Sequence, residues 1–453
     1  MEQSVNLGQG HVGKLLFKLA LPSIVAQLIN VLYNMVDRMY IGHIDNIGDI
    51  ALTGVGVTMP IIIAVSAFAA LVSMGGAPRA SIMMGKQEKN EAEKIMGNCF
   101  SLLILIAILS TGVLLFFGQD LLLLFGASEA TITYAWSYLK IYAIGTIFVQ
   151  LTLGMNAFIS AQGFANISMK TIMIGAICNI ILDPIFIFGF NMGVQGAALA
   201  TILSQAISCI WVIHFLRSEK SFLKIHKKYM ILEPSVFLPC IALGSAPFVM
   251  QFTESVLSVC FNTSLLKYGG DIAVGAMTIA TSVMQFSMLP LQGLTQGAQP
   301  IISYNYGAND LKRVKDTFKY LIISCLTFST IIWAISMFAP QVFISIFTNK
   351  PELMEFSISA VRTYMALNLV FGAQIACQQT FIALGNAKAA LFLALLRKVI
   401  LLIPLIYILP IFFENKTFAV YLAEPVADAI AVTTTVTLFI LSFKNLLRNN
   451  TAS

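Results

Sequence analysis

The stretch ICNIILDPIFIFGF at 177–190 sets an amide, Asn179, and a carboxylate, Asp183, inside an otherwise apolar run. Helical residues four apart project from one face, so the two form a single polar spot. Pro184 follows the carboxylate and has no N–H, so the carbonyl of Ile180 loses its helical donor on roughly the same side. Asp37, in LPSIVAQLINVLYNMVDRMYIG (21–42), and Thr201, in GVQGAALAT (193–201), add a second carboxylate and a hydroxyl. Oxygen ligands of this kind suit a hard cation such as Na+. A buried carboxylate equally suits a proton. The expected site at Asp37, Asn179, Asp183 and Thr201 takes H+ or Na+, and these residue types do not choose between them.

The elements that must hold this site follow from composition. The chain has 453 residues, 58% hydrophobic and only 11% charged, against about 25% charged in a soluble protein. Runs such as LLILIAILSTGVLLFF (102–117) are spaced for helices that cross a hydrocarbon layer. Twelve spans are expected at 14–41, 50–78, 92–117, 132–160, 167–190, 195–216, 235–266, 271–303, 317–339, 356–384, 388–412 and 417–443. Alternating ten-residue strands are lacking, so the spans are helices rather than a barrel. No cleavable signal is expected, because the first span is too long for one. With both termini inside, 21 of the 27 Lys and Arg fall on the inner side, Arg397, Lys398, Lys444 and Arg448 among them. The net charge of +6 is thus a topology signal and gives no support for nucleic-acid binding. In this frame Asp37, Asp183 and Thr201 each lie five to seven residues from an outer helix end, roughly 7–11 Å below the outer surface. They share one depth. The seven cysteines show no C-x-x-C spacing and read as small buried hydrophobes.

Shifted by 222 residues, the chain matches itself. Gly75, Pro78, Ser81 and Gly85 fall on Gly297, Pro300, Ser303 and Gly307; Tyr142 falls on Tyr364 and Gly163 on Gly385. Each repeat holds six helices, an even number, so the repeats are parallel and enclose a cleft. The expected division is an N-lobe at 1–216, a basic linker at 217–234 and a C-lobe at 235–453. Candidate cleft residues are Asn30, Tyr33 and Asn34 on the first helix, Asn156 on the fourth, Gln251 and Glu254 on the seventh, and Met284 and Met288 on the eighth. Each has a plainer reading beside the functional one. Asn179 and Asp183 could brace a proline kink, Asp37 could pair with Arg38, and Thr201 could bond its own helix backbone. Gln251 and Glu254 could be a structural pair, the asparagines interhelical ties, and the methionines packing.

GQGHVG (8–13) fits a nucleotide-binding pattern, but no strand precedes it; GK at 85–86 lacks the rest of a phosphate loop. None of the four histidines forms H-E-x-x-H. No catalytic residues and no cofactor are expected, so the chain does not read as an enzyme.

The segments LALPSIVAQLINVLYNMVDRMYIG (19–42), NIILDPIFIFGFNMGVQGAALAT (179–201) and GLTQGAQPIISYNYGA (293–308) resemble the multidrug and toxic compound extrusion (MATE) transporters, and most of all the staphylococcal-type bacterial exporters. The resemblance implies an all-α integral membrane protein in which twelve helices form two lobes of a V around a central cleft. It implies efflux of amphipathic, mostly cationic drugs in exchange for H+ or Na+, from the bacterial inner membrane, with both termini cytoplasmic. The family's N-lobe cation site falls on Asp37, Asn179, Asp183 and Thr201, and Glu254 matches an acid that some relatives use. Helix 10 reads RTYMALNLVFG without a further acid, which counts against a C-lobe sodium site. Expected partners are small-molecule drugs, organic cations and lipid, with no obligate protein partner and a monomeric state. The alternative is a flippase for a lipid-linked precursor. That activity wants a cationic cleft, and Lys and Arg read as almost missing from helix interiors.

Overall fold

The computed structural model describes residues 6–45 and 47–449, with side chains described up to residue 443. Twelve long helices are present among them. They are α1 (Val12–Gly42), α2 (Gly48–Gly85), α3 (Lys89–Leu124), α4 (Ile132–Ile144 and Thr146–Ala161, bent by 58°), α5 (Ala165–Gly189) and α6 (Gly193–Arg217). The continuous helical stretch Pro234–Gly307 contains 74 residues, about 110 Å of helix, far more than the roughly 30 Å of a hydrocarbon core. It breaks at Gly270, whose φ of 65° suits glycine alone, into α7 (234–269) and α8 (271–307). The rest are α9 (Leu311–Phe338), α10 (Pro351–Tyr364 and Asn368–Ala383), α11 (Ala387–Phe412) and α12 (Lys416–Asn449). Several helices outrun the apolar spans read from sequence because a helix satisfies its own backbone groups past the hydrocarbon edge. α9 begins six residues early, where Asp310 accepts a hydrogen bond from the Arg313 amide at 3.0 Å and caps the helix. The basic side chains of Lys444 and Arg448 lie outside the described residues.

The 222-residue repeat is visible in matched contacts. Ser81 Oγ donates to the Ala161 carbonyl at 2.8 Å, and Ser303 Oγ to the Ala383 carbonyl at 2.7 Å. Gln87 and Asn309 both take positive φ at the ends of α2 and α8. Gly85 packs on the Tyr304 carbonyl, while its counterpart Gly307 packs on the Ile82 carbonyl. The halves meet through small residues that let backbones approach closely. Gly75 of α2 lies against Cys240 and Gly244 of α7, and Gly293 and Gly297 of α8 lie against Ile24 and Ala20 of α1. These seams run toward the end of the bundle where α2 and α8 finish, here the basal end. The N-terminal segment is also pinned there. Arg313 donates to the carbonyls of Leu7, Gln9 and Gly10, at 3.3, 3.2 and 2.8 Å. Toward the opposite, distal end, Asn30 and Asn34 of α1 are exposed. The two halves are thus in close backbone contact at the basal end.

Candidate functional site

Pro184 fixes the shape of α5. Without an N–H to continue the regular pattern, the helix widens into a π turn at Ile185–Gly189, closed by the Phe190 amide on the Ile185 carbonyl at 2.9 Å. Asn191 and Gly193, both at positive φ, then reverse the chain into α6. Gly196 of α6 has no Cβ to strike the Phe186 backbone, so α6 lies close against the π turn. One turn before the proline, Asn179 Nδ2 donates to Asp183 Oδ1 at 3.1 Å, and both residues are buried. Asp37 of α1, also buried, is a close neighbour of Asp183. Asp37 Oδ1, Asn179 Oδ1 and Asp183 Oδ2 are buried with no donor. Two neighbouring carboxyls in a low-dielectric interior repel when both are ionised, and a single positive charge between them relieves this. The orphaned oxygens are suited to such a charge.

Thr201 of α6 donates to the Ala197 carbonyl at 3.0 Å, as the plainer reading has it, and is a neighbour of Tyr138. Tyr138 of α4, 3% exposed, closes the cluster from the side and went unread in the sequence. Its Tyr-Leu-Lys context offers no signal distinguishing it from core. Tyr33 of α1 sits beside Asp37. Among the described residues no ion pair joins Asp37 to Arg38, which is exposed. No group of three or more His, Cys, Asp or Glu gathers into a metal site among them either. The chemistry of the donor set, with two carboxylates, an amide and a hydroxyl, fits H+ or Na+.

The remaining candidates scatter. Asn34 Nδ2 donates to the Asn30 carbonyl at 2.6 Å on the exposed face of α1. Asn156 Nδ2 donates to the Ser168 carbonyl at 3.2 Å, tying α4 to α5 as interhelical glue. Met284 and Met288 are partly buried against the apolar core of α1, α8, α9 and α10, which is packing. Glu254 makes an ion pair with Lys398 rather than a pair with Gln251.

Here the structure corrects the sequence reading. Arg397 and Lys398 do not belong to the basal surface: they sit ten and eleven residues into α11, in the π turn Leu396–Leu402, and both are buried. Arg397 Nε donates to Asp428 Oδ1 and Nη2 to Glu424 Oε1, each at 2.7 Å, and its guanidinium stacks 4.6 Å from the Phe371 ring centre. Helix interiors therefore do hold bases: Lys398 is matched by Glu254 of α7, and Arg397 by acids on α12 that went unread. The signal was available: Glu424 and Asp428 are spaced i, i+4 in AEPVADAI (423–430), one helical face.

Comparison with known proteins accords with this architecture. The MatE family model matches residues 22–185 and 247–408. The multidrug export protein MepA of Staphylococcus haemolyticus (strain JCSC1435) is 26% identical over 434 residues, 95% of each chain. MepA of Staphylococcus aureus (strain NCTC 8325 / PS 47) is 24% identical over 410 residues, 90% of this chain and 89% of its own. Among solved structures, the MATE multidrug transporter DinF-BH is 33% identical, with a TM-score of 0.88 over 97% of this chain and 98% of its own. An outward-facing MATE transporter of the MOP superfamily gives a TM-score of 0.89 at 21% identity, over 99% of this chain and all of its own. On the matched helices, the two-lobed bundle and these relatives, the chain belongs to the MatE family of membrane transporters.

Proposed function

We propose that the chain is a secondary active multidrug efflux antiporter, exporting amphipathic, mostly cationic small molecules in exchange for H+ or Na+ by alternating access. The observation that carries this reading is the buried pair Asp37 and Asp183, which with Asn179 leaves three side-chain oxygens without a donor. In the distal-open state a proton or Na+ enters the cluster of Asp37, Asn179, Asp183 and Thr201. It neutralises the acids and repacks α1 near Pro22 or Asp37, releasing the organic cation held by the same negative charge. A ligand shifts such an equilibrium only by its differential affinity for the two states, so ion and drug must compete.

In this reading residues 1–216 and 235–453 are the moving lobes and 217–234 the strap between them. The strap is fastened to the first lobe: Asn98 Oδ1 accepts from the Glu233 amide at 2.7 Å, and Gln162 Oε1 from the Leu223 amide at 2.8 Å. The protein sits as a monomer in a bacterial inner membrane with both termini cytoplasmic, and needs no cofactor. Asn30, Tyr33, Asn34 and Gln251 line the drug path. A lipid-precursor flippase is less well supported, because Arg397 and Lys398 are each neutralised by a partner acid and offer no free phosphate site. Efflux in everted vesicles under separately imposed pH and Na+ gradients tests the reading. Gradient-dependent loss of a cationic dye is expected, and dye movement indifferent to both gradients rejects it.

A further inference from the structure

Three acids and two bases meet within the second half, apart from the Asp37–Asp183 pair. Arg397 and Lys398 come from α11, Glu424 and Asp428 from α12, and Glu254 from α7. With all five ionised, one negative charge is left over. The hydrogen bonds show where it falls. Arg397 satisfies Asp428 Oδ1 and Glu424 Oε1, and Lys398 is spent on Glu254. Glu424 Oε2 is buried with no partner, on a residue 4% exposed. A second orphan lies beside the two bases. Gln374 Oε1 of α10, on a residue 1% exposed, has no donor, and Gln374 lines with Arg397 and Lys398 a cavity of about 10 Å³, room for a single water. The Glu254 side chain is 62% exposed while that of Lys398 is 5% exposed, so the outer end of the network is open and the inner end closed. Lys398 and Glu254 both lie close enough to act on the Glu424 charge, and Tyr364 of α10 is the remaining titratable neighbour.

We propose that Glu424 is a second proton-binding site, and that an organic monocation bound at Glu254 expels its proton by way of Lys398. The incoming cation takes the Glu254 carboxylate. The displaced Lys398 ammonium keeps its three protons and turns to Glu424 Oε2. The O–H bond of Glu424 breaks, its electron pair stays on Oε2, and the proton leaves to water. One positive charge enters and one leaves, so the buried network keeps its net charge throughout. The identity of the ligand as an organic cation rests on the export reading; the protonation of Glu424 does not.

The test uses the purified full-length protein and tetraphenylphosphonium, a monocation with no proton of its own to give. Infrared spectra are expected to show a protonated-carboxyl band in the wild type and in Lys398→Gln that is missing in Glu424→Gln. The amide of that variant still accepts from Arg397. Proton release on adding tetraphenylphosphonium should fall by about one proton per chain in both Glu424→Gln and Lys398→Gln, and this share should persist in Asp37→Asn. A Glu424→Gln protein that keeps the band, or that releases as many protons as the wild type, overturns the proposal. A wild type that shows the Glu424 band yet extrudes no dye from vesicles overturns the export reading instead.

Discussion

Asn179 Nδ2 donates to Asp183 Oδ1 at 3.1 Å, holding one oxygen of the carboxylate in place while Oδ2 stays without a donor. The amide thus orients a charge-accepting group against Asp37 rather than quenching it. Asp183→Asn removes that acceptor while leaving size and the helical face intact. Cells carrying it should lose drug resistance to the level of cells without the protein, with normal insertion measured on membrane fractions. Resistance at wild-type level would exclude the Asp37–Asp183 pair as the coupling site.

Thr201 separates the two candidate ions. Its hydroxyl donates to the Ala197 carbonyl, which leaves lone pairs for a metal ion but no proton-accepting role comparable to a carboxylate. Thr201→Val keeps the shape. Efflux driven by an imposed Na+ gradient should drop about tenfold or more, equivalent to about 1.4 kcal/mol of ion binding, while efflux driven by a pH gradient holds. Equal loss under both gradients would assign Thr201 a packing role through Tyr138.

The first-half cluster was legible because its residues obey local rules: a four-residue spacing on one helix, a proline beside it, and a common depth counted from helix ends. Tyr138 was hidden because an aromatic in an apolar helix has no local mark of its neighbours. Arg397 and Lys398 were misplaced for a different reason. Counting bases to assign topology treats each as a surface charge, and a base paired to an acid on another helix violates that premise. Glu424 and Asp428 lie 27 and 31 residues from Arg397 in sequence, so only folding joins them. The repeat, by contrast, was readable at the level of contacts, since Gly85 and Gly307 serve the same purpose in the two halves.

A Cβ on Gly75 would lie 1.9 Å from the Cys240 carbonyl oxygen, a backbone atom that cannot swing aside. Gly75→Ala should therefore wedge α2 from α7, at a cost of about 1–3 kcal/mol to the basal seam. Cys240, fully buried in the closed seam, becomes the reporter. Its alkylation by a membrane-permeant thiol reagent, followed by mass spectrometry, should speed up relative to Cys377. Unchanged labelling would mean that the seam is not the closed gate of this state.

Arg313 holds three N-terminal carbonyls and also donates from Nε to Asn305 Oδ1 at 3.2 Å. This ties the start of α1, in one half, to the α8–α9 turn of the other. Arg313→Gln forfeits charge-assisted bonds worth about 1.5–3 kcal/mol together and should favour basal opening. Spin labels placed at the basal ends of α2 and α8 should show a longer distance distribution than in the wild type, and an unaltered distribution would reduce Arg313 to an anchor for the N-terminal segment.

The Arg397 network yields a stability test independent of transport. Breaking a buried ion pair by deleting one partner leaves unpaired charge and costs about 3–5 kcal/mol, whereas removing all partners together can be nearly neutral. Arg397→Met alone strands Glu424 and Asp428, both of which it holds at 2.7 Å, beneath the Phe371 ring it stacks on. Its melting temperature in detergent should fall by several degrees. Adding Glu424→Gln and Asp428→Asn should restore most of the loss, because no unpaired charge is then left buried. If the triple variant melts as low as the single one, Arg397 stabilises the lobe by packing on Phe371 and its charge is incidental.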